Sequence, residues 1–349
     1  MIIKNLLSGL LLSGSCLTAT ACSAAIETQT SGAITPSQSI TAVHPKGLQE
    51  FIEKMTSRHH FDKAELNNLF QSVELKPAII EAMTRPAEAM PWYKYRKIFM
   101  TDARVEAGTG FWQANEPALT KIERKTGVPA AIIVAILGVE TFYGKNTGRY
   151  RVIDALSTLG FDYPKRSSFF LSELEHFLLL CRDQQIDPLI PTGSYAGAMG
   201  MPQFMPSSYR TYAADFDGDL HSDIWQNPAD VIASVANYFV KHHWQPGQDI
   251  AFEVNATGES YKSALGGDLK PDLTVSELKS LKIEVPKHLN SGIKAKLLAF
   301  EEEQGNDLWL ALDNFYVITR YNHSPLYAMA VYQLSQAIAD KIASVNNHE

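Results

Sequence analysis

Apolar positions recur at helical spacing through most of the chain. Leu48, Phe51, Ile52 and Met55 fall on one helical face, and Leu66, Leu69, Phe70 and Val73 on another. Lys76-Pro77 interrupts this pattern, and Pro86 and Pro91 bracket a short connection. A different pattern follows Gly127-Val128-Pro129. Residues 130–139 are apolar throughout, apart from Gly138. A helix apolar on every side belongs inside a protein, not on its surface. Pro129 suits the first turn of such a helix and Gly144 its end. Further helices are predicted over 167–185, 228–242 and 325–343. After Pro246 the period shortens, and runs at 250–254, 296–301, 308–312 and 315–321 predict strands. No internal repeat is present.

Length adds that two or three domains are to be expected from 349 residues. With 45% hydrophobic and 20% charged residues the composition is that of an ordinary globular protein. The net charge of -7, without a basic run, argues against nucleic acid as a partner, because phosphate binding needs a positive face. A glycan stays open as a ligand, since sugars are held by hydrogen bonds and aromatic faces.

The N-terminus reads as an export signal over residues 1–21. Lys4 precedes an apolar stretch to Leu12, then small residues lead to Ala19-Thr20-Ala21-Cys22. A cysteine directly after the small residues marks Cys22 for lipidation. The alternative is an ordinary signal with a chance cysteine, and Ala19 stands where Leu is commoner. Residues 22–43, rich in Ser, Thr, Ala and Gln, read as a flexible tether. Later in the chain nothing offers the ~18 uninterrupted apolar residues of a membrane-spanning helix. With Cys16 in the signal and Cys22 lipidated, Cys181 remains alone and no internal disulfide forms in the mature chain.

Two stretches carry candidate chemistry. Glu140 ends the all-apolar helix, with Ile133, Ile136 and Leu137 as neighbours on its face. Desolvation and the negative helix end both favour a protonated carboxyl there, as a glycosidic general acid requires. The alternative is a Glu that only marks where the helix meets water. The stretch from Gly193 to Ser208 is dense in Gly, Met and Pro. It lets backbone approach a ligand closely, or it is simply a tight structural loop.

Gly138-Val139-Glu140-Thr141, followed by Tyr143-Gly144, resembles the catalytic segment of lysozyme-like lytic transglycosylases. Ala198-Met199-Gly200-Met201-Pro202-Gln203-Phe204-Met205-Pro206-Ser207-Ser208-Tyr209 is similar to the second signature of the membrane-bound lytic murein transglycosylase B family. The stretches from Asp154 to Pro164, Arg320-Tyr321-Asn322, and Ser324-Pro325-Leu326-Tyr327 resemble that family too.

The resemblance covers about residues 44–340. It implies a mainly α (α+β) fold: a lysozyme-like core with an additional helical region and a small β-rich domain. On this reading residues 44–120 form the helical region, with 328–345 packing back on it. Residues 121–247 form the catalytic core, 248–316 the β domain, and 317–327 return to the core. The resemblance also implies non-hydrolytic cleavage of the β-1,4 bond between N-acetylmuramic acid and N-acetylglucosamine in peptidoglycan, giving 1,6-anhydro ends. Glu140 then acts first as acid and later as base. No second carboxylate stands out as its partner.

Tyr95, Arg166, Ser194, Gln203, Tyr238, Tyr321, Asn322 and Tyr327 are carried over as cleft residues. From the residues alone, Tyr238 and Tyr327 could instead be core, and Lys165 could take the role of Arg166. A hydrolytic muramidase of the same fold and a non-catalytic peptidoglycan-binding lipoprotein are the competing readings. The expected location is the bacterial envelope, lipid-anchored and facing the periplasm. Ser23 follows the cysteine, and the absence of an Asp there points, by analogy to lipoprotein sorting, to the outer membrane. Partners in cell-wall synthesis are expected without identity.

Asp215, Asp217, Asp219 and His221 match positions 1, 3, 5 and 7 of a calcium-binding EF-hand loop, the last through its backbone carbonyl. Leu220 departs from the usual Gly at position 6, and Gln226 from the Glu at position 12. An acidic surface turn is the alternative. The resemblance implies a longer loop, 215–230, closed by Asp230 and holding a structural Ca2+.

Overall fold

In the computed structural model, residues 47–84 and 90–346 are described. The expected signal peptide, Cys22 and the tether lie outside them, as does Pro86. Six helices come first: α1 (Leu48–His59), α2 (Lys63–Gln71), α3 (Pro77–Thr84), α4 (Trp92–Phe99), α5 (Asp102–Ala114) and α6 (Glu116–Thr126). Asp62 caps α2 by accepting from the amides of Ala64 and Glu65. The faces read from sequence do turn inward, with Leu48, Phe51, Ile52 and Met55 of α1 all buried.

Helix α7 (Ala130–Thr141) is surrounded on all sides. Ile132 to Val139 are each buried, most with no exposed surface. Pro129 sits one residue before the helix, as its N-cap. The helix also ends before Gly144. Phe142 already takes the left-handed conformation, with its amide bonded to Gly138 O. Then come β1 (Tyr150–Arg151), α8 (Val152–Asp162), α9 (Ser167–Asp183), β2 (Thr192–Gly193), α10 (Pro206–Tyr212) and α11 (Pro228–Lys241). β1 and β2 pair antiparallel, Tyr150 opposite Gly193.

The strand-rich part holds β3 (Ala251–Val254), β4 (Leu273–Thr274), α12 (Val275–Ser280), β5 (Lys294–Glu301) and β6 (Asn306–Ala311). The four strands form one antiparallel sheet in the order β3-β6-β5-β4. Side chains alternate along β5 as a pleated strand requires. Ala295 and Leu297 face a small separate core with Val275 and Leu278 of α12. Leu298 and Phe300 face the other way, onto the main helical core, where Phe300 meets Trp92 edge-on at 5.4 Å. The sheet is therefore fastened to the helices through one face while it builds its own core on the other.

The chain ends in α13 (Asp313–Tyr321) and α14 (Pro325–Asn346). The strand expected over 315–321 is in fact α13. Its Phe, Val, Ile, Thr and Tyr residues carry strand propensity, but Asn314, Phe315, Val317, Ile318 and Tyr321 are all buried, a spacing that only a helix delivers to one core. Asp313 in the first turn favours the helix start. Helix α14 packs along α7, α5, α4 and α13. Among the described residues no helix is long and apolar enough to cross a membrane.

Candidate active site

Glu140 is the penultimate residue of α7, half-buried at the end of the apolar rod. Tyr327, fully buried near the start of α14, donates a hydrogen bond to Glu140 Oε1 at 2.7 Å. Three more tyrosines feel the same carboxyl. Burial first, and the negative charge of Glu140 next, push the hydroxyls of Tyr95, Tyr321 and Tyr327 above the ordinary phenol range. Tyr238 is raised by burial, then by Tyr212, with a smaller effect from Glu140. These phenols therefore stay protonated at any working pH and remain donors.

The tyrosines are held by backbone. Tyr321 donates to Pro202 O at 2.6 Å, and Tyr238 to Arg320 O at 2.6 Å. Their rings lie 4.7 Å apart, and both lean on Phe204 at about 6 Å. The Gly- and Met-rich stretch thus packs directly against α11 and α13. Thr141, next to Glu140, ties the same stretch to α7 by donating from Oγ1 to Met201 O at 2.9 Å. Gln203, itself in the left-handed region at φ 52°, donates through Nε2 to Thr147 O and Gly200 O. Ser194 Oγ accepts from the amides of Ala196 and Ala198.

The structure gathers Tyr95, Tyr238, Tyr321 and Tyr327 around Glu140, and joins Gln203 to them through Pro202. Asn322 is buried directly after α13, next to Tyr321. Arg166 lies at the start of α9 with its guanidinium 4.3 Å from the Phe169 ring centre and 5.0 Å from that of Phe170. One of its terminal nitrogens is buried without a hydrogen-bond partner. Sequence reasoning missed Thr141 as a tether, although it stands in the same motif as Glu140. It also missed His242, whose only signal was its place one turn beyond Tyr238.

In the acidic loop, carboxylate oxygens of Asp215, Asp217 and Asp230 lie within 4.8 Å of one another. Asp230 is fully buried and accepts from the amides of Phe216 and Asp223. Burial, and then the charges of Asp217 and Asp215, push its pKa up against the pull of those amides. A cation would relieve that strain, so the donor set fits a hard, oxygen-preferring ion. Asp219 is not in the trio. Its carboxylate accepts the amide of His221 at 2.8 Å, as those of Asp215 and Asp217 accept other amides of the loop. Leu220, where Gly is usual, takes φ 74° and is 85% exposed. The loop keeps the left-handed turn and carries Leu in it.

A family model described as the transglycosylase SLT domain matches residues 44–336. The chain belongs to that family. This transglycosylase-domain chain is 43% identical over 301 residues to membrane-bound lytic murein transglycosylase B of Escherichia coli K12, covering 83% of the chain and 82% of that protein. It is similar to the crystal structure of soluble lytic transglycosylase SltB1 from Pseudomonas aeruginosa, at 49% identity and a TM-score of 0.82. That match covers 84% of this chain and 98% of the other. It also matches Escherichia coli lytic transglycosylase Slt35 in complex with calcium, at 42% identity and a TM-score of 0.80, covering 86% and 94% of the two chains. The lysozyme-like fold expected from the sequence is the fold of these relatives.

His242 generates a prediction. Its ring lies 4.3 Å from that of Tyr238 and 5.4 Å from that of Tyr212. Burial, helped by Arg320 and His243, pushes its pKa down to about 4 from 6.5. Between those values the unfolded chain binds a proton that the folded chain refuses, so stability falls as pH drops from 6.5 towards 4. Chemical unfolding at pH 7 and pH 4.5 is expected to show a smaller acid loss for His242→Gln than for wild type, by about 1 kcal/mol after allowing for partial exposure.

Proposed function

We propose that this chain is a peptidoglycan lytic transglycosylase. It cleaves the β-1,4 bond between N-acetylmuramic acid and N-acetylglucosamine without adding water and leaves 1,6-anhydromuramic acid ends. The observation that carries this reading is the carboxyl of Glu140, set at the end of a buried apolar helix and gripped by Tyr327, in a chain of the transglycosylase family. The three fully or nearly fully buried carboxylates elsewhere among the described residues are committed to other partners. Asp154 pairs with Arg151, Glu173 holds the Ser207 amide and hydroxyl, and Asp230 belongs to the acidic loop. A reaction whose nucleophile comes from the substrate asks for one such carboxyl, and Glu140 is assigned to it.

Glu140 gives its proton to the glycosidic oxygen as the C1–O4 bond breaks. The muramic O6 then bonds to C1, and the O6 proton passes to the Glu140 carboxylate. The proton count closes with no water consumed. Tyr95, half-buried, is assigned to meet the sugars; Tyr238, Tyr321 and Tyr327, buried and with their hydroxyls bonded to Arg320 O, Pro202 O and Glu140, are assigned to the wall that shapes the cleft. Arg166, Ser194, Gln203 and Asn322 are assigned to hold polar groups of the glycan. A buried guanidinium nitrogen without a partner at Arg166 supports this, since such a donor calls for an acceptor.

Two features surround the chemistry. Asp215, Asp217 and Asp230 would hold a Ca2+, with Asp219 and the His221 carbonyl assigned to the same loop. Bound there, the ion supplies structural charge balance and takes no part in the cleavage. At the other end of the chain, a signal peptide over 1–21 and a lipid on Cys22 would anchor the protein in the envelope, facing the periplasm from the outer membrane.

Glu140→Gln is expected to lose at least 10²- to 10⁴-fold in rate on purified sacculi, with folding intact. Mass spectrometry of the products released by the wild type tests the chemistry. Anhydro ends are expected, and reducing muramic acid ends would mean hydrolysis.

Titrating Ca2+ into the chelated protein should raise its melting temperature. At a hundredfold excess over Kd the gain is about 2.7 kcal/mol. Asp217→Ala should erase the rise, while cleavage by the chelated wild type persists at low temperature.

Cys22→Ala should release the processed protein from the salt-washed membrane pellet in cell fractionation. Retention in the pellet would refute the lipid anchor.

A further inference from the structure

Helix α7 leaves Glu140 through an unusual exit. Phe142 and Tyr143 both adopt left-handed backbone, at φ 53° and 58°, and Gly144 follows at 86°. Neither of the first two is a glycine, and such residues visit this region only when their surroundings impose it. Here the amides of Phe142 and Tyr143 bond back to Gly138 O and Leu137 O, and α5 adds side-chain contacts to both residues.

Arg104 of α5 reaches across to the last turn of α7. Its Nε donates to Gly138 O at 3.1 Å, and a terminal nitrogen donates to Ile98 O. Its guanidinium lies 5.0 Å from the centre of the Phe142 ring and 5.1 Å from that of Phe99. Its backbone carbonyl accepts the hydroxyl of Tyr143 at 2.9 Å. One residue thus holds both members of the left-handed pair, Phe142 by its ring and Tyr143 by its hydroxyl. The slot for Tyr143 is cut by two glycines. A methyl at Gly108 of α5 or at Gly138 of α7 would collide with the Tyr143 hydroxyl. Gly138 O already accepts the Phe142 amide at 3.2 Å, so Arg104 occupies its second lone pair. A cation at that point also meets the negative end of the helix.

We propose that Arg104 is a positioning residue for Glu140. It locks the exit turn of α7, and with it the carboxyl placed opposite Tyr327, without touching the glycan. The proposal rests on the reading of Glu140 as the acid. Displacing a catalytic group by about 1 Å can cost on the order of 10²-fold in rate, so a loosened turn would show in kcat.

The test compares kcat and KM of wild type, Arg104→Met, Arg104→Lys and Glu140→Gln on soluble glycan strands, well below each melting temperature. Arg104→Met is expected to lose about 10- to 100-fold in kcat with KM within twofold. Arg104→Lys keeps a donor for Gly138 O but cannot lie flat between two rings, so its kcat should fall between the two. If Arg104→Met does not fold, Arg104→Lys decides alone, with a loss of about fivefold or more in kcat expected. Wild-type kcat in a folded Arg104→Met, or in Arg104→Lys where it stands alone, overturns the proposal. A raised KM with unchanged kcat also overturns it, because Arg104 would then bind substrate. An active Glu140→Gln would instead sink the reading of Glu140, and the positioning role with it.

Discussion

Burial of α7 on every side is the constraint from which the remaining architecture follows. A helix with no polar face cannot rest on a surface, so other elements must enclose it. α14, α5, α11 and α6 all pack against it. Enclosure is what allows a polar group at its end to be useful. Glu140 stands where the apolar wrapping stops, and the elements that wrap the rod also deliver the groups around its carboxyl. Tyr327 arrives on α14, Tyr238 on α11, and Tyr321 on α13. The same packing that stabilises the helix therefore assembles the site.

That assembly explains what could and could not be read from the chain. The apolar run from 130 to 139 announces its own burial, and Glu140 is conspicuous because it breaks the run. Alternation over 250–254, 296–301 and 308–312 likewise produced real strands, because successive side chains feed the two cores on either face of the sheet. The run at 315–321 has the same residue types, yet its burial follows helical spacing; composition pointed to strand and packing chose otherwise. Convergence of Tyr95, Tyr238, Tyr321 and Tyr327 joins residues more than 200 positions apart, and no local pattern encodes it. Resemblance to a family supplied those names but not their bonds. Arg104 was invisible for a plainer reason. Its partners are two backbone carbonyls and two rings, none of which leaves a trace in the spacing of side chains.

The acidic loop shows a different limit. Alternating aspartates at 215, 217 and 219 look equivalent in sequence, but only the first two turn towards Asp230. All three accept loop amides, as short acidic side chains readily do, so the local bonds alone do not tell them apart. Asp230 is reached from α11, so the cluster fastens a loop to a helix that carries Tyr238 about two turns further on. A charge-balanced loop and an ordered tyrosine wall are thereby mechanically joined through one helix.

Ser194 carries a consequence of its own. Its hydroxyl oxygen already accepts two backbone amides, from Ala196 and Ala198. With both lone pairs occupied, the oxygen has nothing left to accept with, and only its hydrogen is free to be shared. The loop has in effect made an ambivalent group one-directional. Any molecule meeting this serine must bring lone pairs, such as those of an amide carbonyl, and one that offers only hydrogens finds no welcome there.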